Sequence, residues 1–459
     1  MDVEILARVQ FALTIMFHYI YPPLSIGLGL FIVIAEGIYI KTKDIAYLHI
    51  SKFWTKVFAL TFAIGVATGI VMEFEFGTNW STYSRYVGDV FGSALAAEGV
   101  FAFFLESGFL AIVLFGWSRV RPSVHYFAQV MVALGAHFSA IWIIVANSWM
   151  QTPAGFHIAG EGVLARAEIV DFWAMVFNPS SMDRLIHSII GAWLAGAFLV
   201  ISISAYYLLK QMHLDFAKRS MRIALGIAFV SCILQVFSGH RSAQIVARYQ
   251  PSKLAAIEGR FHTQKNAPLT LFGIVNTENE RVDYEVSIPS LLSYLSFGDV
   301  NAEIAGLDKF PKKDWPKVAV TFQTYHLMIA MWFAMILLCI AAVVFGLKNR
   351  WLLRALVASV LCPQIANQAG WVTAEMGRYP WIVWELLRIS DGLSKVVTAN
   401  QVLGSLIMFT ILYFMLFLLF LYLLNDKIQH GPESSSAAGF KTHPHQLKYV
   451  QEITHDTTQ

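Results

Sequence analysis

The sequence predicts an all-α polytopic membrane protein, and three observations support this fold class. Of its 459 residues, 57% are hydrophobic and only 14% are charged, and the mean hydropathy is +0.57. Soluble domains carry about 25% charged residues. The chain also contains nine apolar segments of the length, about 20 residues, that a bilayer core requires. Finally, lysine and arginine are concentrated in alternate links between these segments, while the net charge of +3 gives no indication of nucleic-acid binding.

The apolar segments predict nine transmembrane helices. They cover residues 11–38, 54–76, 92–117, 124–149, 184–209, 221–240, 319–346, 352–374 and 401–425. The basic residues of the links after the first, third, fifth and seventh segments are Lys41, Lys43, Lys52, Lys56, Arg119, Arg121, Lys210, Lys218, Arg219, Arg222, Lys348, Arg350 and Arg354. The positive-inside rule makes these links cytoplasmic, so we expect the N-terminus outside and the C-terminus in the cytoplasm.

These helices divide the chain into four parts. Residues 1–240 hold helices 1–6, residues 241–318 form an outer loop, residues 319–425 hold helices 7–9, and residues 426–459 form a polar cytoplasmic tail. The outer loop mixes charges of both signs with proline, asparagine and the short alternating run VDYEVSIP. This composition is typical of a partly ordered segment outside the membrane.

Polar residues inside the apolar segments are the first functional candidates, because a charge at membrane depth is costly and is kept where it has a partner or a role. His18, His187, Met328 and Glu375 all fall in the predicted outer half of the membrane. Imidazole and thioether form the ligand pair of electron-transfer haems, whereas a single imidazole or a carboxylate leaves room at the iron for a gas. These four residues are therefore candidate haem ligands.

Each candidate also has a purely structural interpretation. A single histidine in an apolar helix is usually a hydrogen-bonding group, and His125 and His137 are interpreted in that way. Methionine usually fills gaps in a core. Glu375 is followed three residues later by Arg378, so a local ion pair is the alternative to a metal ligand.

The third segment contributes two further carboxylates, in the stretch AAEGVFAFFLES. Glu98 lies near its predicted outer end, and Glu106 lies eight residues deeper, about 12 Å along a helix axis.

Six longer stretches carry a family resemblance, and they are spread over nearly the whole chain. They are RVQFALTIMFHYIYPPLSIGL, MEFEFGTNW, AAEGVFAFFLES, VANSWMQTPAG, QPSKLAAIEG and GWVTAEMGRYPW. The chain in these stretches resembles subunit I of the cytochrome bd-type quinol oxidases. The resemblance implies nine helices with bundled haem-binding helices, an outer quinol-binding loop and three haems near the outer surface. The loop is short, as in the short-loop and cyanide-insensitive branches, so the implied cofactors are two haem b and one haem d, with haem b as the alternative for the third.

The resemblance implies metal-binding roles for five residues. His187 and Met328 are the expected axial ligands of a low-spin haem b that first accepts electrons. His18 and Glu375 are the expected ligands of the two high-spin haems, and Glu98 is the candidate second ligand of one of them.

It also implies roles in charge balance, proton transfer and quinol oxidation. Arg378 is expected to balance Glu375 and the haem propionates, and Glu106 to pass protons outward to the oxygen-reducing site. In the outer loop, Lys253 and Glu258 match the pair linked in this family to quinol oxidation, with Gln250 nearby.

Two positions depart from the commoner pattern. His326, in FQTYHLMIA, stands where some members have an arginine that supports the low-spin haem. It is two residues from Met328 and faces another way on a helix, so Met328 is preferred as the ligand. Tyr379 replaces the glutamine of the commoner GRQPW form, which is expected to keep the ligand Glu375 and to alter hydrogen bonding at the haem edge.

The activity implied by the resemblance is that of a terminal respiratory oxidase subunit in a bacterial cytoplasmic (inner) membrane. Quinol is expected to lose electrons and protons at the outer face, and dioxygen to be reduced to water, so that a proton gradient forms without pumping. The implied partners are ubiquinol or menaquinol, dioxygen, a smaller membrane subunit II and, as a further candidate, a single-helix accessory subunit.

Two other classes of protein are the alternatives. A haem-b quinone-linked electron-transfer subunit would share the His187 and Met328 site without reducing oxygen. An ion-coupled transporter would use Glu98, Glu106 and Glu375, but it would be expected to carry inverted repeats, and we find none in the sequence.

Overall fold

The computed structural model describes residues 2–432, and helices account for most of them. The helices are α1 (Val3–His18), α2 (Tyr21–Thr42), α3 (Ile45–Thr78), α4 (Ser81–Tyr86), α5 (Gly88–Ala97), α6 (Phe104–Phe115), α7 (Pro122–Gln151), α8 (Phe172–Val176), α9 (Ser181–Lys210), α10 (Leu214–Tyr249), α11 (Pro251–Ile257), α12 (Leu291–Phe297), α13 (Val318–Val344), α14 (Arg350–Ala358), α15 (Leu361–Met376), α16 (Ile389–Gly392) and α17 (Ala399–His430). The strands are β1 (Phe156–Ala159), β2 (Arg166–Ile169), β3 (Gln264–Lys265), β4 (Leu269–Asn276), β5 (Arg281–Ile288), β6 (Glu303–Ile304), β7 (Trp381–Val383) and β8 (Leu387–Arg388).

Eight helical spans within residues 2–432 are long and apolar enough to cross a membrane. The first is formed by α1 and α2, and the third by α5, a π-helical turn at Glu98–Phe103, and α6. The other six are α3, α7, α9, α10, α13 and α17. The predicted all-α polytopic membrane class is confirmed.

The eighth predicted segment differs from the prediction. Instead of one helix over residues 352–374, the structure has α14 and α15, with a break at Ser359 and Val360. Pro363 explains the break, because a proline has no N–H to donate and its ring clashes with the carbonyl four residues earlier, here that of Ser359. The prediction of a single continuous helix here is therefore wrong.

The same effect interrupts the first predicted helix. Pro22 and Pro23 lie in the first turn of α2, and the residues four positions earlier are His18 and Tyr19, where α1 ends. The break therefore places His18 at a helix terminus rather than in the interior of a continuous helix.

The predicted outer loop contains regular structure. Helix α10 continues to Tyr249, beyond the predicted membrane limit at residue 240. The loop then forms α11, α12 and short antiparallel pairs, the longest being the hairpin of β4 and β5, in which Leu269 pairs with Ile288. The alternating run VDYEVSIP supplies most of β5. Residues 433–459 of the predicted tail lie outside the described residues.

The main hydrophobic core lies where α2, α3, α9 and α10 meet, and Trp54, Phe31 and Phe198 are buried there. Helices α2 and α9 approach closely at Gly27 and Gly196, where a methyl group on either would collide with the backbone of the other. Small residues allow such close approach between helices in a membrane. A second core at the predicted outer side includes Trp80, Tyr83 and Trp149.

Candidate functional site

His187 projects from α9 toward α10, where it meets polar partners. Its Nδ1 atom lies 3.1 Å from Oγ of Ser238, and Nε2 of Gln235 lies 3.0 Å from both ring nitrogens. Gly239 is beside the ring, since a Cβ at that position would lie 3.7 Å from His187 Cε1. An amide and a hydroxyl therefore hold the imidazole, and either ring nitrogen could exchange the Gln235 contact for a metal.

Met328 lies on α13 against a glycine of α15. A Cβ added at Gly370 would lie 2.9 Å from Sδ of Met328, which is closer than real Cβ contacts allow. The thioether therefore occupies space that exists because residue 370 has no side chain.

The helices that carry His187 and Met328 are joined on two sides. Nε1 of Trp332 on α13 donates a 3.0 Å hydrogen bond to the Cys232 carbonyl of α10. Nδ2 of Asn367 on α15 donates to the Gly191 carbonyl of α9 at 3.4 Å. Helices α9, α10, α13 and α15 thus form one bundle around the two candidate ligands.

His326 is engaged elsewhere. Its Nδ1 atom lies 2.8 Å from the Phe322 carbonyl oxygen, and its Nε2 atom lies 3.0 Å from the Thr270 carbonyl oxygen of β4. The Nε2 atom therefore links the outer loop to α13, and the Nδ1 atom is occupied within α13 itself, which favours Met328 over His326 as a ligand.

His18 lies at the end of α1 and faces α3. Its Nδ1 atom is 3.0 Å from Oγ1 of Thr68, and a Cβ at Gly69 would lie 3.2 Å from its Cε1 atom. The same end of α1 packs on α15, where Nε2 of Gln368 donates to the Met16 carbonyl at 2.7 Å. His18 and Glu375 are thus presented by neighbouring helices.

Glu375 lies in the last turn of α15, in a group of cations and amides. It forms an ion pair with Arg378, and its Oε1 atom accepts a 3.2 Å hydrogen bond from Nδ2 of Asn147. The Oδ1 atom of Asn147 in turn accepts a hydrogen bond from Arg184. The local ion pair considered from the sequence is therefore present, and a second guanidinium is linked to the same carboxylate through an amide.

Lys253 belongs to this group, although it comes from the outer loop. Its Nζ atom donates hydrogen bonds to Oε1 of Gln151 at 2.9 Å and to Oε1 of Gln250 at 3.3 Å. Nε2 of Gln250 donates to the same Gln151 oxygen at 3.0 Å. Burial is the main cause that lowers the pKa of Lys253 well below its usual range; Arg184 adds to the effect, and Glu375 opposes it.

Glu258 lies in different surroundings from Lys253. Burial raises the pKa of its carboxyl to about 7, while the nearby Arg260 charge partly opposes the effect. Within residues 2–432, the buried Oε2 atom of Glu258 has no hydrogen-bond partner. Arg260 is instead paired with Glu285 of β5. Glu258 is thus a buried, incompletely partnered carboxylate that changes protonation near neutral pH.

Glu98 and Glu106 both face α7. Oγ of Ser139 donates a 2.5 Å hydrogen bond to Oε1 of Glu98. Glu106 packs against Gly135, where an added Cβ would lie 2.9 Å from the Glu106 Cβ atom. Glu98 also begins the π-helical turn, and such turns are frequent at functional sites.

The donors at these positions fit haem groups. An imidazole and a thioether on different helices suit a low-spin haem, and a single imidazole or a carboxylate suits an open one. In the described chain, the buried Nε atom of Arg184 and the buried Nη1 atom of Arg378 have no hydrogen-bond partner. Guanidinium groups of this kind recognise carboxylates such as haem propionates. The residues present therefore fit the cofactor that the resemblance implies.

Sequence reasoning missed several members of the site. Arg184 is a charge one turn before His187, and ranking charges by depth could have found it. Asn147 and Gln151 lie in the stretch VANSWMQTPAG, but neutral amides give no signal in hydropathy or charge. Gln235 and Ser139 likewise lie in no sequence pattern that distinguishes them from other polar residues of the chain.

Comparison with known proteins agrees, over nearly the whole chain, with the family resemblance seen in the sequence. The family model for cytochrome bd terminal oxidase subunit I matches residues 6–432. The chain is 37% identical over 444 residues to cytochrome bd ubiquinol oxidase subunit 1 of Bacillus subtilis (strain 168), with 94% of each chain covered. It is 33% identical over 504 residues to cytochrome bd-II ubiquinol oxidase subunit 1 of Escherichia coli (strain K12), covering 94% of this chain and 98% of that one.

A solved structure agrees with these sequence matches. The bd oxidase from Geobacillus thermodenitrificans superposes with a TM-score of 0.88 and 29% identity, over 94% of this chain and 99% of that chain. Neither the electron-transfer module nor the ion-coupled transporter is favoured by these findings. The chain belongs to the cytochrome bd terminal oxidase subunit I family.

Proposed function

We propose that this chain oxidises quinol at the outer membrane face and reduces dioxygen to water, as the core subunit of a terminal respiratory quinol oxidase. It is an oxidoreductase, and family membership over nearly its whole length supports this activity. The observation that carries the proposal is the contact between Lys253 of the outer loop and Gln151 of α7, beside the Glu375 cluster. This contact supports the proposal that the loop and the candidate haem ligands belong to one site.

In the proposed quinol step, Glu258 and Lys253 act on the substrate hydroxyl groups. Glu258 accepts a proton, because its pKa of about 7 lets it change protonation near the working pH. Lys253 hydrogen-bonds a quinol oxygen, and Gln250 and Gln151 hold the amine in position. Quinol loses two protons, one to Glu258 and one to the outer aqueous side, and its two electrons would pass to the bound cofactor, which leaves the quinone.

The protein's contribution to the redox steps is to hold and insulate the cofactor. Haem, when bound, supplies the electron-transfer steps and an open iron position for dioxygen. His187 and Met328 are the proposed ligands of the low-spin haem, and His18 and Glu375 those of the high-spin haems, with Glu98 as the candidate second ligand of one. Arg378 and Arg184 would neutralise propionates.

Protons for water are proposed to reach the site along the third span. Glu106 lies on α6 and Glu98 on the adjoining π-helical turn, so the two carboxylates occupy successive depths of the same span. Each electron delivered to oxygen is matched by one proton taken up, so charge crosses the membrane without a pump.

The finer features of the complex are proposed on the same basis. Helices α14 and α15 together would form the ninth span, the N-terminus would lie outside and the C-terminus in the cytoplasm. The proposed cofactors are two haem b and one haem d, with haem b as the alternative at the third position. Ubiquinol or menaquinol, a smaller subunit II and a single-helix accessory subunit are the proposed partners.

The test is a pyridine haemochrome assay on the purified complex, followed by a reduced-minus-oxidised spectrum, a carbon monoxide difference spectrum and quinol-driven oxygen uptake. We expect haem, a low-spin band, carbon monoxide binding and oxygen uptake. Haem without carbon monoxide binding would indicate an electron-transfer subunit instead, and the absence of haem would support a transporter.

A further inference from the structure

We propose that protons enter this chain through a buried polar row in the seam between α2, α6 and α7. The row starts at the Glu36–His125 pair, continues at Gln129 and ends at Glu106. The inference rests on the proposed function and deepens it, because it assigns the route by which protons reach Glu106.

The first station of the row is the buried pair of Glu36 and His125, the histidine that the sequence analysis interpreted as a hydrogen-bonding group. Nδ1 of His125 lies 2.7 Å from Oε1 of Glu36, and its Nε2 atom lies 3.2 Å from the Val113 carbonyl oxygen of α6. Both residues are only 2% exposed. In the described part of the chain, the second carboxylate oxygen of Glu36 is buried and has no hydrogen-bond partner. The pair therefore joins three helices, and one carboxylate oxygen of Glu36 remains available to accept a hydrogen bond.

The second station is Gln129, one turn along α7 from His125. It is fully buried, and neither its Nε2 nor its Oε1 atom has a hydrogen-bond partner among residues 2–432. Buried amides almost always have partners, and internal water commonly supplies them. An offset of four residues on a helix turns the side chain by only about 40°, so Gln129 continues the face that carries His125. A buried amide without a hydrogen-bond partner among the described residues thus follows the Glu36–His125 pair.

The far end of the row is Glu106. It packs against Gly135, ten residues and about 15 Å along α7 from His125. Ser139 follows one turn later and donates to Glu98. The contacts of α7 with the third span therefore run in antiparallel order, from Val113 through Glu106 to Glu98.

The charge pattern of the sequence gives the row its direction. Arg119 and Arg121 immediately precede α7, and Lys41 and Lys43 end α2 and its cap, so the Glu36–His125 end lies on the side predicted to be cytoplasmic. A proton taken up there would be held by the pair, passed through water bound at Gln129 and delivered to Glu106. One proton would enter for each electron consumed at oxygen.

A purely structural pair would account for Glu36 and His125, but it would not account for Gln129. An amide that only fills space is better replaced by an apolar residue, because a buried unpartnered polar group destabilises the fold. Two unpartnered amide atoms and a spare carboxylate oxygen along one seam therefore favour a hydrated path.

The experiment measures proton uptake during a single turnover of the complete complex. The fully reduced enzyme is mixed with oxygen, and proton uptake is followed with a pH-sensitive dye while haem oxidation is followed by absorbance. Gln129→Met keeps the size of the side chain and removes its hydrogen bonds, and Glu36→Gln removes the charge at the entrance. Ser204→Ala is the matched control, because it removes a buried hydroxyl of α9 that has no hydrogen-bond partner in the described part of the chain.

We expect the proton-uptake phase to slow by about tenfold in Gln129→Met and Glu36→Gln, with an unchanged carbon monoxide spectrum and an unchanged Ser204→Ala control. Wild-type proton uptake in both row variants would overturn the inference while leaving the proposed oxidase function intact. Absence of quinol-driven oxygen uptake in the wild-type complex would instead refute the proposed function. If Gln129→Met does not assemble, Glu36→Gln alone decides by the same two outcomes.

Discussion

The Nζ atom of Lys253 donates a 2.9 Å hydrogen bond to Oε1 of Gln151, and this contact fastens the outer loop to the end of α7. Gln250, which caps the start of α11, donates to the same oxygen at 3.0 Å. The Lys253 stem also lies against Gly377, where an added Cβ would be 2.8 Å from its Cγ atom. The lysine is therefore preorganised, which is the property expected of a residue that positions a substrate.

Replacing Lys253 with methionine should lower quinol-driven oxygen uptake about fivefold, because a hydrogen bond from an amine to the substrate is worth about 1 kcal/mol. Electrons from a chemical reductant that bypasses the loop should still reach oxygen at the wild-type rate. Steady-state oxygen uptake with each donor measures both quantities.

Lys265→Met is the matched control, since Lys265 is an exposed lysine of β3 in the same loop. It should leave both rates unchanged. Equal loss with both donors in Lys253→Met would show damage to the haem bundle rather than to quinol binding.

Glu258 should give quinol oxidation a pH dependence. A general base acts in its ionised form, and with a pKa of about 7 the ionised fraction of Glu258 grows as the pH rises through neutrality. The kcat/KM for quinol should therefore rise as the pH increases from below to above about 7. Glu258→Gln should lower it about a hundredfold and remove this limb of the profile.

Glu303→Gln is the matched control for Glu258→Gln, because it changes an exposed glutamate of β6 in the same loop. That variant should retain both the rate and the pH limb. A rising limb that persists in Glu258→Gln would mean that another group takes the quinol proton.

Met328 and His187 should be required for the low-spin haem. Met328→Leu and His187→Ala should each remove the low-spin spectrum and leave carbon monoxide binding at least partly intact, because other residues are the proposed high-spin ligands. Gly370→Ala should have a similar effect, because its methyl group would lie 2.9 Å from Sδ of Met328 and displace the thioether.

Gly226→Ala on α10 is the control, since an added Cβ there meets no atom within 4 Å in the described structure. Reduced-minus-oxidised spectra measure all four variants. A normal low-spin band in both Met328→Leu and His187→Ala would refute the ligand assignment.

The fold was largely predictable because hydropathy and charge patterning directly reflect the bilayer. The error at residues 352–374 arose because an average over a window does not register what Pro363 does to the carbonyl of Ser359. The same reasoning applied to Pro22 would have placed the end of α1 at His18. A proline four residues after a candidate residue was therefore the sequence signal that a helix ends at that candidate.

The site was predictable only in its chemically distinctive members. His18, His187 and Glu375 differ sharply from an apolar background, whereas the amides of Asn147 and Gln151 do not. Their importance comes from the approach of α7 to α15 and α11, which is a property of tertiary packing.

Substitutions at Glu375 test whether this residue is a haem ligand or only the partner of Arg378 in a local ion pair. Glu375→Gln keeps the shape of the side chain but removes the charge shared with Arg378, so we expect loss of a high-spin haem and of oxygen reduction. A residue that only neutralised Arg378 would be replaceable by removing both charges together. The double variant Glu375→Gln/Arg378→Gln should therefore remain inactive if the carboxylate binds iron, and it should recover haem content and turnover if the pair is only local. Asp314→Asn breaks a comparable ion pair with Arg388 near the same face and should keep full activity. The two outcomes are separated by measuring haem content with the pyridine haemochrome assay and oxygen uptake on the same preparations. Full haem content and turnover in Glu375→Gln would rule out the ligand role.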